Sequence, residues 1–541
     1  MDDLRPTRGL KTARRPHVPW KRAGSCSARA RFVASGLVCG LSALACQTGT
    51  PPAFPSAPPA IVIGVPNSRQ LDLSPGIQFL ANSVANERLT GSDAGGRTAP
   101  RLVERWTESD DGLTWRLVLR AQARYHDGTP LVAADVKRQL DEERSGSASE
   151  MIAVCVPDIR DTSVVNDREL VVRLNRRCAF LLDDLDMAIT RSVGEDRPEI
   201  GTGPFAIASR SKDQVVLEAN ADYYLGAPAI GKVVIKEYDT LRTAWAEMMR
   251  GRVDFLWDVG PDTVEFLRDQ SSVRVHSYLS YYAYTIVLNS ARPIFHDAAV
   301  RRALNLAVDR VELVQQALKN QGVAGDDTIW PSFWARDGSV SGWAYDPKGA
   351  IRLLAAAGRG GLPPATGAGV AGPRLVFTCL VPTNSTIYER LALLVQRQLR
   401  LVNVEMRLEA LPTDVYNRRI GAGNFDAILT NLVGGPSRTI HYRFWHSPER
   451  LKRLNYWGYR DEAVDRALEQ MRDAPDDSGT RAAIKALRLA LRDSPPAIVL
   501  AWSKTIQAVS SRFELPDSAA GRDALHGLSR WALRKPGGSR P

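Results

Sequence analysis

Apolar and polar positions along this chain follow two rhythms. Short runs of β-branched and aromatic residues bounded by turn formers read as strands, and longer stretches with apolar residues three and four apart read as helices. Residues 60–65 form an apolar run closed by Pro66 and predict a first strand. Residues 115–119 alternate, and the turn-rich Tyr125-His126-Asp127-Gly128-Thr129-Pro130 precedes a helical stretch over 133–140. Val164-Val165 and residues 170–174 flank Asn166-Asp167 as the strands of a hairpin do. Further strands are predicted over 215–217 and 233–235, with a helix over 240–250 before the apolar 253–257. The alternation resumes with a strand over 284–288, helical spacing over 298–318, a strand over 375–380, an amphipathic helix over 387–401 and a strand over 405–410. A helix over 482–491, a stop at Pro495-Pro496 and a strand over 497–502 come last. Both halves mix α and β, so the pattern predicts an α/β protein whose second lobe begins near residue 290.

The length, 541 residues, suits two or three domains. The formal charge of +11 suggests a polyanionic partner until its distribution is followed. Residues 1–31 hold nine Lys and Arg against Asp2 and Asp3, and residues 522–541 hold five against Asp523. Residues 46–521 then hold 57 basic and 57 acidic side chains, and a neutral body lacks the electrostatic footprint of a nucleic-acid binder. The basic leader runs into fourteen uncharged residues, 32–45, too short to span a bilayer and placed as the apolar region of a signal peptide is. Export is the expectation. Ala43-Leu44-Ala45-Cys46 resembles a bacterial lipobox with its first two positions transposed, which implies lipidation of Cys46. Plain signal-peptidase cleavage near the same place, leaving a free thiol, is the alternative. Five prolines in residues 47–60 make an extended tether between anchor and body. The last twenty residues read as a loose basic tail.

Chemistry-bearing motifs mostly fail. The glycine-rich 358–373 has no Gly-Lys-Ser/Thr after it and reads as a surface loop, not a phosphate cradle. Gly201-Thr202-Gly203-Pro204-Phe205 places Ala206 where a dinucleotide fingerprint needs its third glycine. Gly435-Pro436-Ser437-Arg438-Thr439 lacks the last glycine of a nucleophile elbow. His441 and His446 are five apart, which suits neither one helical face nor one strand face, so no metal site is expected. No cofactor and no catalytic constellation is predicted. Inside the mature chain only Cys155, Cys178 and Cys379 remain, and none makes a CxxC pair. Cys155 and Cys178 either form a disulfide in an oxidising compartment or pack as two separate small apolar residues.

Eight short blocks then occur in a telling order. Pro100-Arg101-Leu102-Val103-Glu104-Arg105-Trp106, Asp111-Gly112-Leu113-Thr114-Trp115, the Tyr125–Pro130 turn and Ala134-Asp135-Val136 come first. The Gly201–Phe205 turn, Ala221-Asp222-Tyr223-Tyr224, Gly251-Arg252-Val253-Asp254 with Leu288-Asn289, and Val300-Arg301-Arg302-Ala303-Leu304 through Tyr345-Asp346-Pro347 follow. In order and spacing they resemble the extracytoplasmic solute-binding proteins of ABC importers, family 5, over about residues 60–510. Most of these residues are scaffold: Gly128 allows a tight turn, Asp135 can cap a helix, and Arg301 and Asp309 read as an ion pair on one helix.

The resemblance implies a two-lobe periplasmic binding protein of type II with an extra subdomain in the first lobe and a hinge between lobes. It implies a first lobe over 60–288 with the subdomain at about 96–195, a second lobe over 289–490, and a return to the first over 491–521. A solute enclosed between the lobes and a membrane permease are the implied partners, the protein itself being a monomer. By position, Asn67, Tyr282, Tyr284, Asn384, Asn431 and Arg438 are the implied ligand contacts. Peptide-binding members carry an aspartate shortly after the strand equivalent to 426–430, where it pairs with the peptide amine. Residues 431–442 hold no acid and carry Arg438, so a neutral or anionic solute is expected. A non-transport binding role on the same fold and an exported hydrolase are the alternative functions.

Overall fold

The computed structural model describes residues 59–67, 76–145, 153–192, 194, 199–268, 270–359, 375–435, 437–447, 455–519 and 521–534. The leader, Cys46, nearly all of the tether, most of the glycine-rich loop and the last seven residues lie outside them.

One mixed sheet of eleven strands organises the molecule. At its first-lobe end, Ala60–Pro66 pairs in parallel with Lys232–Tyr238 and Phe255–Leu256, and Gln214–Ala219 and Phe205–Arg210 extend the sheet antiparallel. At its second-lobe end, Leu375–Pro382 lies parallel to Val404–Leu411 and to Ala427–Val433. Two long antiparallel strands, Val273–Leu288 and Ala497–Ser510, belong to both ends. Their register slips between Leu279 and Ala283 and again between Tyr284 and Thr285, so residues 273–279 pair with 504–510 in one lobe and 283–287 with 497–502 in the other. A slip of this kind bends a strand and raises its twist. The pairing therefore shifts inside these strands, at Ser280-Tyr281-Tyr282.

The apolar rhythm explains the cores. Ile61, Ile63 and Val65 face a cluster with Ile77, Leu80, Ile235 and Phe255, while Val62 faces the opposite one. In the second lobe Ile286, Leu288, Ala427 and Leu429 pack on the apolar stripe of helix Thr386–Arg400, and Ala283, Val287, Ile428 and Leu432 face the other side. The subdomain is a four-stranded antiparallel sheet over Val103–Leu174 with helix Ala133–Ser145. Its core is continuous with helices Glu462–Arg472 and Asp477–Asp493. Cys155 and Cys178 are joined as a disulfide, with their Cα atoms 5.8 Å apart. Gly128 sits at φ +82° in its turn, and the Asp135 carboxylate accepts from Val132 N at 3.2 Å.

Three expectations are corrected. The stretch 298–318 is two helices, Ala298–Leu306 and Arg310–Gln316, because Asp309 caps the second by accepting from Glu312 N at 3.1 Å. Arg301, buried, instead donates to Pro495 O at 2.9 Å and Ser494 Oγ at 2.7 Å, tying its helix to the Pro495-Pro496 turn. The tail is not loose over 522–534. Leu528 and Trp531 are buried in the first-lobe core, and Asp523 accepts from Trp257 Nε1 at 2.9 Å and Gln507 Nε2 at 2.8 Å. Counting charges hid two apolar anchors among the arginines.

Candidate ligand-binding cleft

Ligands of open α/β sheets sit at the carboxyl ends of parallel strands, where strand order leaves a crevice. In the second lobe those ends carry Asn384, beyond Leu375–Pro382, and Asn431, near the end of Ala427–Val433. The two strands are in register at Cys379–Ala427 and Leu380–Ile428, which places both amides at the same end of the pair. Asn384 Oδ1 and both polar atoms of the Asn431 amide are buried without a hydrogen-bond partner. Buried amides are rarely left unpaired, and one with donor and acceptor both open awaits a bifunctional guest or ordered water.

The crossing supplies aromatic faces. Tyr282 is 38% exposed, whereas Tyr281 meets Trp330 edge-on with centroids 5.0 Å apart and Trp330 Nε1 donates to Ser280 O at 3.1 Å. Tyr284 lies opposite Asn431 in the ladder, yet it is 4% exposed and its ring meets Tyr388 edge-on at 5.5 Å. That ring belongs to the second-lobe core. In the first lobe, Asn67 follows the strand Ala60–Pro66 and its backbone N donates to Tyr238 O at 2.8 Å. Asp258, next to Trp257, has its carboxyl pushed up to about 6 by burial, against hydrogen bonds from Gly260 and neighbouring backbone.

After Asn431 the chain passes through Gly434-Gly435. A Cβ at Gly434 would stand 2.5 Å from Trp502 and 2.5 Å from Thr328 O, and one at Gly435 2.9 Å from the Cβ of Tyr281. An aspartate has no room at either position. Helix Arg438–Trp445 follows, and Arg438 is not a free cation. Its Nε donates to Asp183 Oδ2 at 3.0 Å and its Nη2 to Asp183 Oδ1 at 3.1 Å, a fork-to-fork pair whose side chains are 12% and 8% exposed. Asp184 accepts from Thr439 Oγ1 at 2.5 Å and from the backbone of Val154 and Cys155, and burial raises its carboxyl to about 6. The acids absent from residues 431–442 are thus brought in from the subdomain. Nothing in the sequence marks them, since Asp183 and Arg438 stand 255 positions apart.

Two lobes on a shared sheet, joined by bent crossing strands with unpaired amides at the crevice, define a type II periplasmic binding protein. The profile of the bacterial extracellular solute-binding proteins, family 5, matches residues 97–449, and the chain belongs to that family. It is the extracytoplasmic solute receptor of an ABC transporter. It is 24% identical over 467 residues to the oligopeptide-binding protein AppA of Bacillus subtilis, covering 80% of this chain and 83% of that one. Its fold matches NikZ of Campylobacter jejuni in complex with Ni(L-His), with a TM-score of 0.74 at 22% identity over 87% of this chain and 99% of the other. It also matches AgaA of A. tumefaciens R10 in complex with agropinic acid, with a TM-score of 0.70 at 18% identity over 88% and 99%. These relatives are binding proteins. No helix among the described residues is long and apolar enough to cross a membrane.

Proposed function

We propose that the interlobe cleft captures a solute without a buried free amine, neutral or anionic, and hands it to a membrane permease without chemical change. The observation that carries this is the packing of Gly434 against Trp502, which leaves no room for an amine-binding aspartate. The acids imported from the subdomain support it, because Asp183 is matched by Arg438 and Asp184 by three donors. A buried ammonium would find both of these acids already engaged and would carry the desolvation cost of an unpaired charge. Asn384 and Asn431 would give the guest its hydrogen bonds, Tyr282 an aromatic face, and Asn67 the first-lobe edge. Arg438 ties lobe to subdomain instead of touching the guest. Native mass spectrometry of protein purified from its host tests the reading: neutral or acidic solutes are expected, and co-purifying cationic dipeptides would overturn it.

The chain is further proposed to be a monomer held to the outer face of the membrane by lipid on Cys46, with the proline-rich residues 47–60 as spacer. The apolar leader ending at a cysteine supports this. Cys46→Ser is expected to release the protein into the soluble fraction and remove the lipid mass, and unchanged membrane retention would refute the anchor.

A further inference from the structure

The C-terminal segment sets arginines against the hairpin of Thr90–Ser92 and Thr98–Pro100, just before the subdomain sheet. Arg101, at the exit of the hairpin, lays its side chain over Gly91, where a Cβ would stand 3.1 Å from its Nε, and its Nη2 meets Nε2 of His526. Arg522 donates from Nη2 to Ser92 O, one residue along the same strand, while its Nε is buried without a partner. Adjacent residues of one strand therefore hold both guanidiniums. Arg530 ends the short helical segment Ala524–Arg530 that carries His526. No carboxylate among the described residues pairs with Arg101, Arg522 or Arg530, because the nearby acids are otherwise engaged. Asp186 pairs with Arg88 at 3.1 Å, and Asp523 accepts from Trp257 Nε1 and Gln507 Nε2. Glu87 accepts from the hydroxyls of Tyr223 at 2.7 Å and Tyr224 at 3.0 Å, its Oε2 meets no donor, and burial raises its carboxyl.

A guanidinium donates and never accepts, so the His526 nitrogen that meets Arg101 is the unprotonated one and the ring is neutral. Desolvation, and then the charges of Arg101, Arg522, Arg530 and Arg88, drive that imidazole down to about 3. Like charges gathered without a carboxylate repel one another, and an anion with several oxygens relieves this by accepting from more than one of them. We propose that Arg101, Arg522 and Arg530 form an oxyanion site beside His526, which takes a carboxylate or phosphate where the C-terminal segment meets the hairpin. Arg522 extends the site toward the crossing strands: burial raises the Tyr281 phenol, and the charge of Arg522 and a hydrogen bond with Ser92 oppose that rise. The occupant is an acidic group of a captured solute or a free oxyanion, and the site stands apart from the receptor reading.

The test is calorimetric titration of inorganic phosphate into the mature full-length protein, freed of solute by unfolding and refolding, against chloride of equal ionic strength. Wild type is expected to bind phosphate at one site, and no heat beyond that of chloride overturns the proposal. Arg101→Gln and Arg522→Gln are each expected to weaken phosphate about tenfold, the effect of losing a charge-assisted hydrogen bond. Arg530 is exposed, so Arg530→Gln serves if those two misfold. It is expected to weaken phosphate about threefold. Unchanged affinity in Arg530→Gln, or in both of the others, overturns the assignment. Arg242→Gln removes an exposed charge elsewhere in the first lobe and is expected to change nothing, whereas an equal loss there would reduce the effect to net charge and sink the site as well. Repeating the titration on protein as purified from its host, with its solute in place, separates the occupants. Phosphate shut out by that solute assigns the site to the solute's own acidic group, and phosphate bound alongside it assigns the site to a free oxyanion.

Discussion

Glu469 is the residue on which three elements depend. It accepts from the Tyr442 hydroxyl at 2.7 Å and from His446 Nε2 at 3.1 Å, and it pairs with Arg176 of the subdomain. Burial opposes its charge, but the hydrogen bonds from His446, Tyr442 and Arg176 outweigh burial and bring its carboxyl down to about 2. For His446 burial also opposes the charge, and the bond to Glu469 overcomes it and raises the imidazole. The signs differ. Glu469 stabilises the fold above its ordinary value of 4.5 and the contribution fades as pH falls toward 2, whereas that of His446 is complete below 6.5 and fades as pH rises through its raised value. Glu469→Gln is therefore expected to remove on the order of 2–3 kcal/mol near pH 5 and to flatten the acid limb of stability below pH 4.5. Urea unfolding across that range checks it, and an unchanged acid limb would show that the cluster does not link proton binding to folding.

At the level of elements, the C-terminal segment behaves as part of the first lobe. Trp531 is fully buried, lies edge-on to Phe255 with centroids 5.7 Å apart, and donates Nε1 to Ala524 O at 3.1 Å. Trp531→Ala should cost about 3–5 kcal/mol, the range for emptying a tryptophan site in a packed core. Chemical denaturation measures it, and a loss below about 1 kcal/mol would mean that the segment is not integral to that core. The crossing strands show why alternation alone misled at one place. In residues 273–282 only Val273 and Ser280 are buried, half-buried Arg274 and His276 alternate with exposed Val275 and Ser277, and the apolar signal is too thin to extend the predicted strand back from 284.

For the molecule as a whole, contacts between lobes set the balance of open and closed. Besides the buried Arg438–Asp183 pair there is an exposed one. Arg390, on helix Thr386–Arg400 of the second lobe, donates to both oxygens of Asp262 in the first, at 3.0 and 2.9 Å. Half-exposed pairs contribute at most about 1 kcal/mol and are screened by salt. Asp262→Ala is thus expected to weaken solute affinity by no more than about fivefold at low salt, with the difference gone near 1 M. Calorimetric titration of the co-purified solute at two ionic strengths decides this, and a larger loss that persists at high salt would assign Asp262 to the binding surface.

The sequence by itself determined the local elements and the family. Hydrophobic rhythm placed the strands at 60–65, 170–174, 215–217, 233–235 and 375–380 and the helix at 387–401, because a period of two or of 3.6 is a property of neighbouring residues. Ordered turn motifs such as Tyr125–Pro130 identified the scaffold, since a left-handed glycine and its flanking cap are written side by side. Only the tertiary structure decided which charges are open. Nothing in the neighbours of Arg438 tells that it is neutralised by Asp183, 255 positions away. It likewise decided that Tyr284 faces a core and Tyr282 faces outward, and that Gly434 leaves its side-chain space to Trp502. Charge pairing and steric room depend on segments that meet through sheet topology, and that meeting has no period along the chain.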